Sequence, residues 1–279
     1  MKIQVITRDN GFGLSKDIQV IREAFPDADV DFTPIDSPRH SGHWNWNIHL
    51  ELIGEKHFRS ATVNAYVPNP EWTYSAWIPL IKRFDIILAK TRDCERIFKA
   101  IHPNVVYTGW TSPDPGIRVD RSRNDMVHCA GESLSKGTNA VICAMSLAGK
   151  VNVLKGGKMP QAEYDEARRA PIHLCPSAYE GFGHYINEAR AMGATIITTD
   201  AEPMTELVSP AFGILVPPTS FRPQRLAVES HVNAESLAEA MRFAMKYNPT
   251  NGEAWGNLAR EAYEVDRIAF HKRINEVVK

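Results

Sequence analysis

Strand-length runs alternate with helix-length runs along the chain, and this alternation most strongly constrains its fold. In the first half, runs rich in β-branched residues predict strands at 2–7, 29–33, 62–67, 85–90 and 104–108. Between them, helical periodicity predicts helices near 15–24, 75–83 and 93–100. This order of elements is typical of a parallel α/β sheet.

A second series follows a turn-rich, charged segment at 113–123, which we interpret as a hinge. Its predicted strands are 126–129, 151–154, 172–174, 195–198 and 213–216. Its predicted helices are 138–147, 161–169, 234–246 and 253–278, with one more directly after Gly183. The segment 217–231 is the longest stretch with no obvious structure. The pattern therefore predicts two α/β domains.

Composition excludes several classes of protein. With 279 residues, 43% hydrophobic and 23% charged, the chain can bury two cores and is not disordered. Its net charge of −1, with 13 basic and 14 acidic residues in the first 115, favours neither nucleic acid nor an anionic membrane. No apolar run reaches membrane-spanning length, and the N-terminus is interpreted as a strand rather than a signal peptide. The four scattered cysteines indicate reduced thiols in a cytoplasmic protein, without a zinc site.

The most informative motif combines two glycines with two glutamates. Glu180-Gly181-Phe182-Gly183 precedes a predicted helix, and Glu188 lies eight residues after the first glutamate. Glycines at a strand-to-helix turn allow a close approach of the backbone, and the first amides of a helix suit a phosphate. The two carboxylates should therefore meet different parts of one elongated ligand.

This run resembles the E-x7-E signature of retaining, nucleotide-sugar-dependent glycosyltransferases with the GT-B fold, of group 1 or GT4 type. The similarity continues through Thr199-Asp200, 206–208 and 213–217, and upstream through Gly131 and Lys136-Gly137. It implies two Rossmann-like domains facing each other across a cleft, 1–117 for the acceptor and 118–252 for the nucleotide sugar. A C-terminal helix, 253–279, would return to the first domain.

The resemblance also implies roles for the motif residues. Glu188 would accept hydrogen bonds from the ribose hydroxyls, and Glu180 would contact hydroxyls of the donor sugar. The segment from Gly181 through Phe182 and Gly183 to His184 would present backbone amides to the sugar and the diphosphate. The family continues with a hydrophobic residue and proline where this chain has His184-Tyr185. This departure leaves the identity of the sugar open.

Other donor contacts are expected from two further loops. Lys136, at a strand-to-helix turn, would neutralise the diphosphate leaving group, which makes Lys136 and Glu180 the candidate catalytic residues. Ser133 could bind phosphate in place of the family's arginine, which is missing because Glu132 follows Gly131. The loop Gly11-Phe12-Gly13 resembles the glycine loop of the family's first domain, although a lone G-x-G is also common in tight turns.

Acceptor residues are predicted in two aromatic and polar stretches of the first half, 44–51 and 68–72. Such stretches hold sugars or bases by stacking and hydrogen bonds, and core tryptophans are the equal alternative. The predicted acceptor-binding residues are His49, Glu51, Asn69 and Glu71.

Acidic and basic clusters elsewhere are interpreted conservatively. Asp27-Ala28-Asp29-Val30-Asp31 mimics a D-x-D metal motif but joins a helix end to a strand, so we expect a solvated turn and no metal. The basic residues of 155–158, 168–169 and 222–225 are expected on the surface, where any of them could help to hold an anionic base or acceptor.

The sequence thus predicts a retaining transferase that moves a hexose, most simply from a UDP-sugar, to an acceptor hydroxyl without a cofactor. A transferase acting on hydroxymethylated DNA is an alternative, because short loops and aromatic pairs suit a nucleic-acid acceptor. A non-catalytic nucleotide-sugar-binding module is an alternative of another class, against which the intact motif argues. A nicotinamide oxidoreductase would need the full glycine fingerprint in the first domain, and it is absent.

Overall fold

The computed structural model describes residues 1–38, 42–130, 133–155 and 159–279, with the Leu134 side chain left out. The chain forms two compact units. The first contains Met1–Pro113, Gln224–Ala227 and Asp266–Lys279, and the second contains Asp114–Pro223 and Val228–Val265.

The first unit is built on a six-stranded parallel sheet of order β2-β1-β3-β4-β5-β6. The strands are β1 Lys2–Thr7, β2 Asp29–Pro34, β3 Trp44–Leu50, β4 Ala61–Val67, β5 Ile86–Ala89 and β6 Val105–Tyr107. The helices are α1 Gly13–Ala24, α2 Ile78–Ile81 and α3 Arg92–Lys99. Central strands such as β1 and β5 are buried along almost their whole length, as expected of a parallel sheet covered on both faces.

Strand β3 corrects the sequence analysis, which assigned residues 44–51 to a ligand-binding stretch and predicted no strand there. Trp44–Leu50 pairs with both β1 and β4 and is therefore a central strand. Its Trp46 is buried, and the indole nitrogen donates to the carbonyl of Lys279. The predicted helix 75–83 is also shorter than expected: a 3-10 turn, Ser75–Trp77, leads into α2.

The second unit contains a five-stranded parallel sheet of order β11-β10-β9-β7-β8. The strands are β7 Met126–Ala130, β8 Asn152–Lys155, β9 Ile172–Cys175, β10 Thr195–Thr199 and β11 Gly213–Val216. The helices are α4 Thr138–Ala148, α5 Gln161–Arg168, α6 His184–Met192 and α7 Met204–Leu207. Its core joins sheet residues such as Ile172 and Ile197 to Leu237 and Met241, which lie on the long helix that begins at Ala234.

Two features of the C-terminal third differ from the sequence predictions. Within the segment 217–231, β12 Ser220–Gln224 and β13 Ala227–His231 form a two-stranded hairpin. The two helices predicted at 234–246 and 253–278 are one continuous helix, α8 Ala234–Val277, with Pro249 inside it. The last residues of α8 belong to the first unit, as the predicted returning helix requires.

The expected fold class, two Rossmann-like parallel sheets with a C-terminal helix, is confirmed. None of the helices in the described ranges combines the length and the apolar character that a membrane span needs.

Candidate functional site

The candidate donor site is built on two loops at the carboxyl ends of neighbouring strands in the second unit. Strand β7 pairs in parallel with β9, so the loops that follow them leave the sheet at the same edge. The amide of Ala178 donates to the carbonyl oxygen of Ser135 at 2.7 Å, which joins the two loops directly. This contact brings the predicted residues Lys136 and Glu180 together.

Gly137 allows this close approach. Its φ is +71°, in the left-handed region, and a Cβ atom there would lie 2.1 Å from the carbonyl oxygen of Pro176. Backbone cannot move aside as easily as a flexible side chain, so any other residue would push the two loops apart. The glycine therefore serves the contact between the loops as well as the start of α4.

Lys136 and Glu180 form the centre of the site. The Nζ atom of Lys136 lies 2.6 Å from Oε1 of Glu180, and the side chains are 21% and 12% exposed. Ser177 donates its hydroxyl hydrogen to the same carboxylate oxygen. The candidate catalytic residues are thus a preassembled, partly exposed ion pair rather than two independent surface charges.

Tyr185, at the position where the resembled family has proline, is part of this cluster. Its hydroxyl lies 2.6 Å from Ser177 Oγ, and because Ser177 gives its only hydrogen to Glu180, the phenol is the donor. The Lys136 ammonium lies 4.1 Å from the centre of the Tyr185 ring. Burial raises the pKa of Tyr185 well above its ordinary value, so the phenol keeps its proton. The departure from the family pattern has a structural role in holding Lys136.

Helix α6 begins at the glycine motif. Gly183 is its N-cap residue, with φ +97°, and a Cβ atom there would lie 3.1 Å from Leu207 Cδ1. The Phe182 side chain is buried, with its ring 5.4 Å from that of His184, so this residue can offer a ligand only its backbone. The positive end of the helix dipole lies at the same sheet edge as Lys136.

Glu188 lies inside α6 and is held by an arginine. Arg168, at the end of α5, places its Nη2 atom 2.6 Å from Glu188 Oε2, with side chains that are 8% and 6% exposed. The Arg168 guanidinium also lies 5.2 Å from the centre of the Tyr164 ring. The expectation that Arg168 is surface charge is wrong, because its guanidinium is buried against the predicted ribose carboxylate.

Ser133 lies beside this cluster, and its hydroxyl is 2.6 Å from that of Ser135. Gly131 and Glu132, of the predicted phosphate-binding segment, lie outside the described residues, as do Gly156, Gly157 and Lys158 of the basic segment.

The predicted glycine loop of the first unit is held by its own side chains. The carboxylate of Asp9 accepts hydrogen bonds from the amide of Gly11 and from the hydroxyl of Ser15. The Asn10 side chain accepts from the amide of Phe12, whose ring is exposed, directly before Gly13 begins α1.

Polar side chains also gather at the carboxyl edge of the first sheet. Glu51 follows β3, and its carboxylate accepts a hydrogen bond from the side-chain nitrogen Nδ2 of Asn69, which follows β4. Both are predicted acceptor residues. The pKa of Glu51 is raised to about 7, mainly by burial. The positive charge of Lys90 lowers this pKa, and the negative charge of Asp17 raises it further. Glu51 has a φ of +58°, an unusual backbone conformation for glutamate.

Sequence reasoning missed a buried ion pair beside these residues. Lys90 directly follows β5, and its Nζ atom lies 2.6 Å from Oδ2 of Asp17, each side chain being 2% exposed. The indole nitrogen of Trp110 donates to the other Asp17 oxygen at 2.6 Å. A lysine at the end of a buried strand could have indicated the site. Its partner on α1 could not, since only the folded structure brings the two together.

Three of the four predicted acceptor residues are buried, and His49 is the most deeply buried of them. His49 has no exposed surface, and its ring packs edge-on against Phe58 and Phe84. Burial and the nearby His57 lower the pKa of His49 to about 3, so the ring is neutral at physiological pH. We therefore correct the acceptor role of His49 to a packing role. Glu71 is also buried, within the 3-10 turn Pro70–Trp72.

The segment 27–31 joins the end of α1 to β2, with Asp27 and Asp29 exposed. Within the described part of the chain, no three His, Cys, Asp or Glu side chains are grouped as a metal site would require.

Comparison with known proteins gives one partial match to a family model. Residues 130–262 match the family model described as glycosyl transferases group 1. The comparison with curated proteins gave no match. The matched segment begins at the end of β7 and contains the cluster around Lys136, Glu180 and Glu188.

Several solved structures share the fold. Sucrose-phosphate synthase from Thermosynechococcus elongatus aligns with a TM-score of 0.75 and 14% identity, over 99% of this chain and 98% of that one. HepE of Anabaena, in complex with UDP-glucose, has a TM-score of 0.70 and 15% identity over 99% of both chains. The lipopolysaccharide outer core galactosyltransferase WaaB aligns with a TM-score of 0.68 and 12% identity, over 99% of this chain and 98% of that one. The chain therefore has the fold of the GT-B glycosyltransferases.

Proposed function

We propose that this chain is a retaining, GT4-like glycosyltransferase that moves a hexose from a nucleotide sugar, most simply a UDP-sugar, to an acceptor hydroxyl. The observation that carries the proposal is the cluster of Lys136, Glu180 and Ser177 beside the N-terminus of α6. The family match over residues 130–262 and the similarity to the UDP-glucose complex of HepE support the choice of substrate.

In this proposal the second unit stabilises the departing diphosphate. The Lys136 ammonium carries three hydrogens, so it can keep its bond to Glu180 and still donate to a phosphate oxygen. The amides of Gly183 and His184 and the dipole of α6 add positive potential at the same edge. Together they act on charge that grows as the bond to the sugar breaks.

The acceptor oxygen forms a bond to C1 of the sugar while the bond from C1 to the diphosphate breaks on the same face. The hydroxyl proton passes to the departing diphosphate oxygen, so no protein nucleophile or metal cofactor is required. The contacts of Glu180 support this route, because the carboxylate is engaged by Lys136 and Ser177 and is suited to accepting hydrogen bonds from sugar hydroxyls.

Glu188 binds the ribose in this proposal, and Arg168 orients its carboxylate. Glu51, Asn69 and Glu71 of the first unit bind the acceptor. We place the activity in the cytoplasm, and the four free thiols are consistent with such a reducing compartment.

A thermal-shift screen of UDP-, GDP- and ADP-sugars tests the donor. We expect a UDP-sugar to stabilise the wild type more than the GDP- and ADP-sugars do. Glu188→Gln, which keeps the shape of the side chain and removes a strong hydrogen-bond acceptor, should bind that donor about 10-fold more weakly. NMR of the product formed from an α-linked donor should show an α-glycoside. A β-linked product, or a folded protein that none of the donors stabilises, would refute the proposal.

A further inference from the structure

An exposed aromatic cluster lies next to the proposed acceptor residues. Trp72 follows Glu71 directly and Tyr74 lies two residues further on, and they remain 42% and 48% exposed. The Trp77 ring packs edge-on against Tyr74 at 5.2 Å, which supports the latter from behind. Large aromatic side chains at a surface are a common means of binding sugar rings and ligands with a flat face.

Arg225 is held against both rings. It occupies the turn between β12 and β13, within the part of the hairpin that belongs to the first unit. Its guanidinium carbon lies 4.6 Å from the ring centre of Trp72 and 4.2 Å from that of Tyr74. Nη2 donates to the Tyr74 hydroxyl and Nη1 to the Glu71 carbonyl oxygen, each at 2.9 Å.

The backbone of the turn is adapted to this position. Arg225 has φ +55°, a left-handed conformation that costs an arginine about 1 kcal/mol or more. The neighbouring amide of Leu226 donates to the carbonyl oxygen of Pro70 at 3.3 Å, and Gln224 donates to that of Glu71. The guanidinium is therefore fixed from several sides before any ligand arrives.

The charge of Arg225 is not neutralised by a carboxylate. Across the described ranges, no acidic side chain lies at ion-pair distance from its guanidinium, whose hydrogen-bond partners are a neutral hydroxyl and a carbonyl. Arg222, on the same hairpin, differs because its Nη2 atom lies 2.7 Å from Glu229 Oε2. Arg225 is only partly buried and keeps unused N–H donors in a planar fork, the geometry that matches a phosphate or a carboxylate.

We propose that Trp72, Tyr74 and Arg225 bind an anionic group of the acceptor, a phosphate or a carboxylate attached to a sugar ring. The proposal rests on the proposed function, because it assigns these residues to the acceptor of that reaction. The aromatic rings take the apolar face of the sugar, and the guanidinium takes its charge. The Glu51 carboxyl disfavours a second anion, and with the Asn69 amide it suits neutral hydroxyls, so the two clusters divide the acceptor between them.

NMR titrations with glucose, glucose 6-phosphate and glucuronate test this assignment on the full chain. We expect both anionic sugars to bind at least about tenfold more tightly than glucose, as even one charge-assisted hydrogen bond would provide. Their comparison shows whether phosphate or carboxylate is preferred. Arg225→Gln should abolish the preference, and Arg225→Lys should restore part of it. Arg222→Gln, the matched control, should retain it.

If Arg225 had only a structural role, the result would differ, since its loss would weaken the binding of glucose and of the anionic sugars by the same factor. That result, or a wild type that does not distinguish the three sugars, would overturn the proposal even if Arg225→Gln did not fold. Tighter binding of a hydroxymethylated oligonucleotide, also dependent on Arg225, would assign the cluster to DNA and overturn it too. Donor binding is measured separately by thermal shift with UDP-sugars. Failure of the proposed function is therefore distinguishable from failure of the anionic-acceptor proposal.

Discussion

At the scale of single residues, the candidate sites depend on charges that are partly or fully withdrawn from water. Arg168 and Glu188 are buried together, and Lys136 shares a carboxylate oxygen with Ser177. Glu51 is pushed toward its protonated form in the interior of the first unit. Removing one member of such a group has consequences that its position in the sequence does not indicate, because the remaining charge loses its partner.

Arg168→Met should lower the free energy of unfolding by about 3–5 kcal/mol, because Glu188 would be left as a buried carboxylate without its guanidinium. The double variant Arg168→Met/Glu188→Leu should lose less than the single one, since no buried charge of the pair then remains unpaired. Urea unfolding of both proteins measures the difference. A double variant that is less stable than Arg168→Met would show that the pair itself, rather than the orphaned charge, supplies the stability.

Lys136→Met should reduce kcat about 100-fold while changing donor affinity far less, because charge on the diphosphate grows as the sugar leaves. Lys150→Met, at an exposed position beyond α4, is the matched control and should keep full activity. Steady-state kinetics with the donor found by thermal shift separates kcat from the KM for the donor. Near-normal turnover in a folded Lys136→Met protein would mean that another cation acts on the leaving group.

Glu51 should make the first unit less stable as the pH rises. Its folded pKa of about 7 exceeds the ordinary value of 4.5, so between these values the folded state holds a proton that the unfolded state has released. Stability contributed by the protonated form is therefore complete below pH 4.5 and is lost as the pH rises through 7. Glu51→Gln should be about 1–2 kcal/mol more stable than the wild type at pH 8.

At pH 4, Glu51→Gln and the wild type should unfold at nearly the same urea concentration, because the wild-type carboxyl is then mostly protonated in both states. Glu55→Gln, which changes an exposed glutamate of the same unit, should show no comparable difference between the two pH values. A pH-independent gain in Glu51→Gln would place its cause in packing rather than in ionisation.

At the scale of structural elements, the donor site depends on loops that are short and tightly joined. The loops after β7 and β9 share a backbone hydrogen bond, and Gly137 leaves no room for a side chain against Pro176. This contact positions Lys136, Glu180 and the start of α6 at one edge of the sheet. Positioning of this kind is how parallel α/β sheets build binding sites from residues far apart in the chain.

Gly137→Ala should cost about 3 kcal/mol or more of stability and impair donor binding, because the new methyl group would lie against the Pro176 carbonyl oxygen. Gly116→Ala is a matched control: its φ of +72° is nearly the same, and nothing lies within 4 Å of the added atom. The free energy of unfolding of Gly116→Ala should fall by only about 1 kcal/mol, the cost of a left-handed backbone conformation for alanine. Equal losses in urea unfolding would mean that backbone strain alone explains the requirement for glycine.

At the scale of the whole molecule, the chain carries almost no net charge but concentrates charge locally. The formal net charge is −1, whereas the Lys136–Glu180 ion pair and the N-terminus of α6 lie together at one edge of the second sheet. At the carboxyl edge of the first sheet, Lys90 pairs with Asp17, and both lie close enough to Glu51 for their charges to act on its carboxyl. Local fields of this kind control ligand binding far more than net charge does.

Transfer of the sugar should persist in EDTA. Lys136 and α6 supply positive potential for the diphosphate, and the proposed roles of Glu180 and Glu188 engage these carboxylates with sugar and ribose hydroxyls. Turnover with and without EDTA, using enzyme purified without added metal, measures the requirement. A modest stimulation by Mg²⁺ through product release is compatible with this expectation. Complete loss that Mg²⁺ restores would falsify the assignment of the leaving-group chemistry to Lys136.

The sequence by itself determined the fold class and the position of the candidate donor motif. Alternating periodicity predicts the two parallel sheets, because buried strands and amphipathic helices have different hydrophobic repeats. The spacing from Glu180 to Glu188 lies within one loop and helix, so local pattern is enough to find it. Strand β3 was missed because Trp44–Leu50 mixes tryptophan, asparagine and histidine, which suit a ligand site as well as a buried strand.

Only the tertiary structure decided which residues meet. The pairing of Arg168 with Glu188 spans 20 residues, and that of Lys90 with Asp17 spans 73. Arg225 reaches Tyr74 across 151 residues. No periodicity encodes such contacts, because they depend on strand order and loop packing rather than on local spacing. For the same physical reason, His49 resembles an acceptor ligand in the sequence but is a core side chain in the folded sheet.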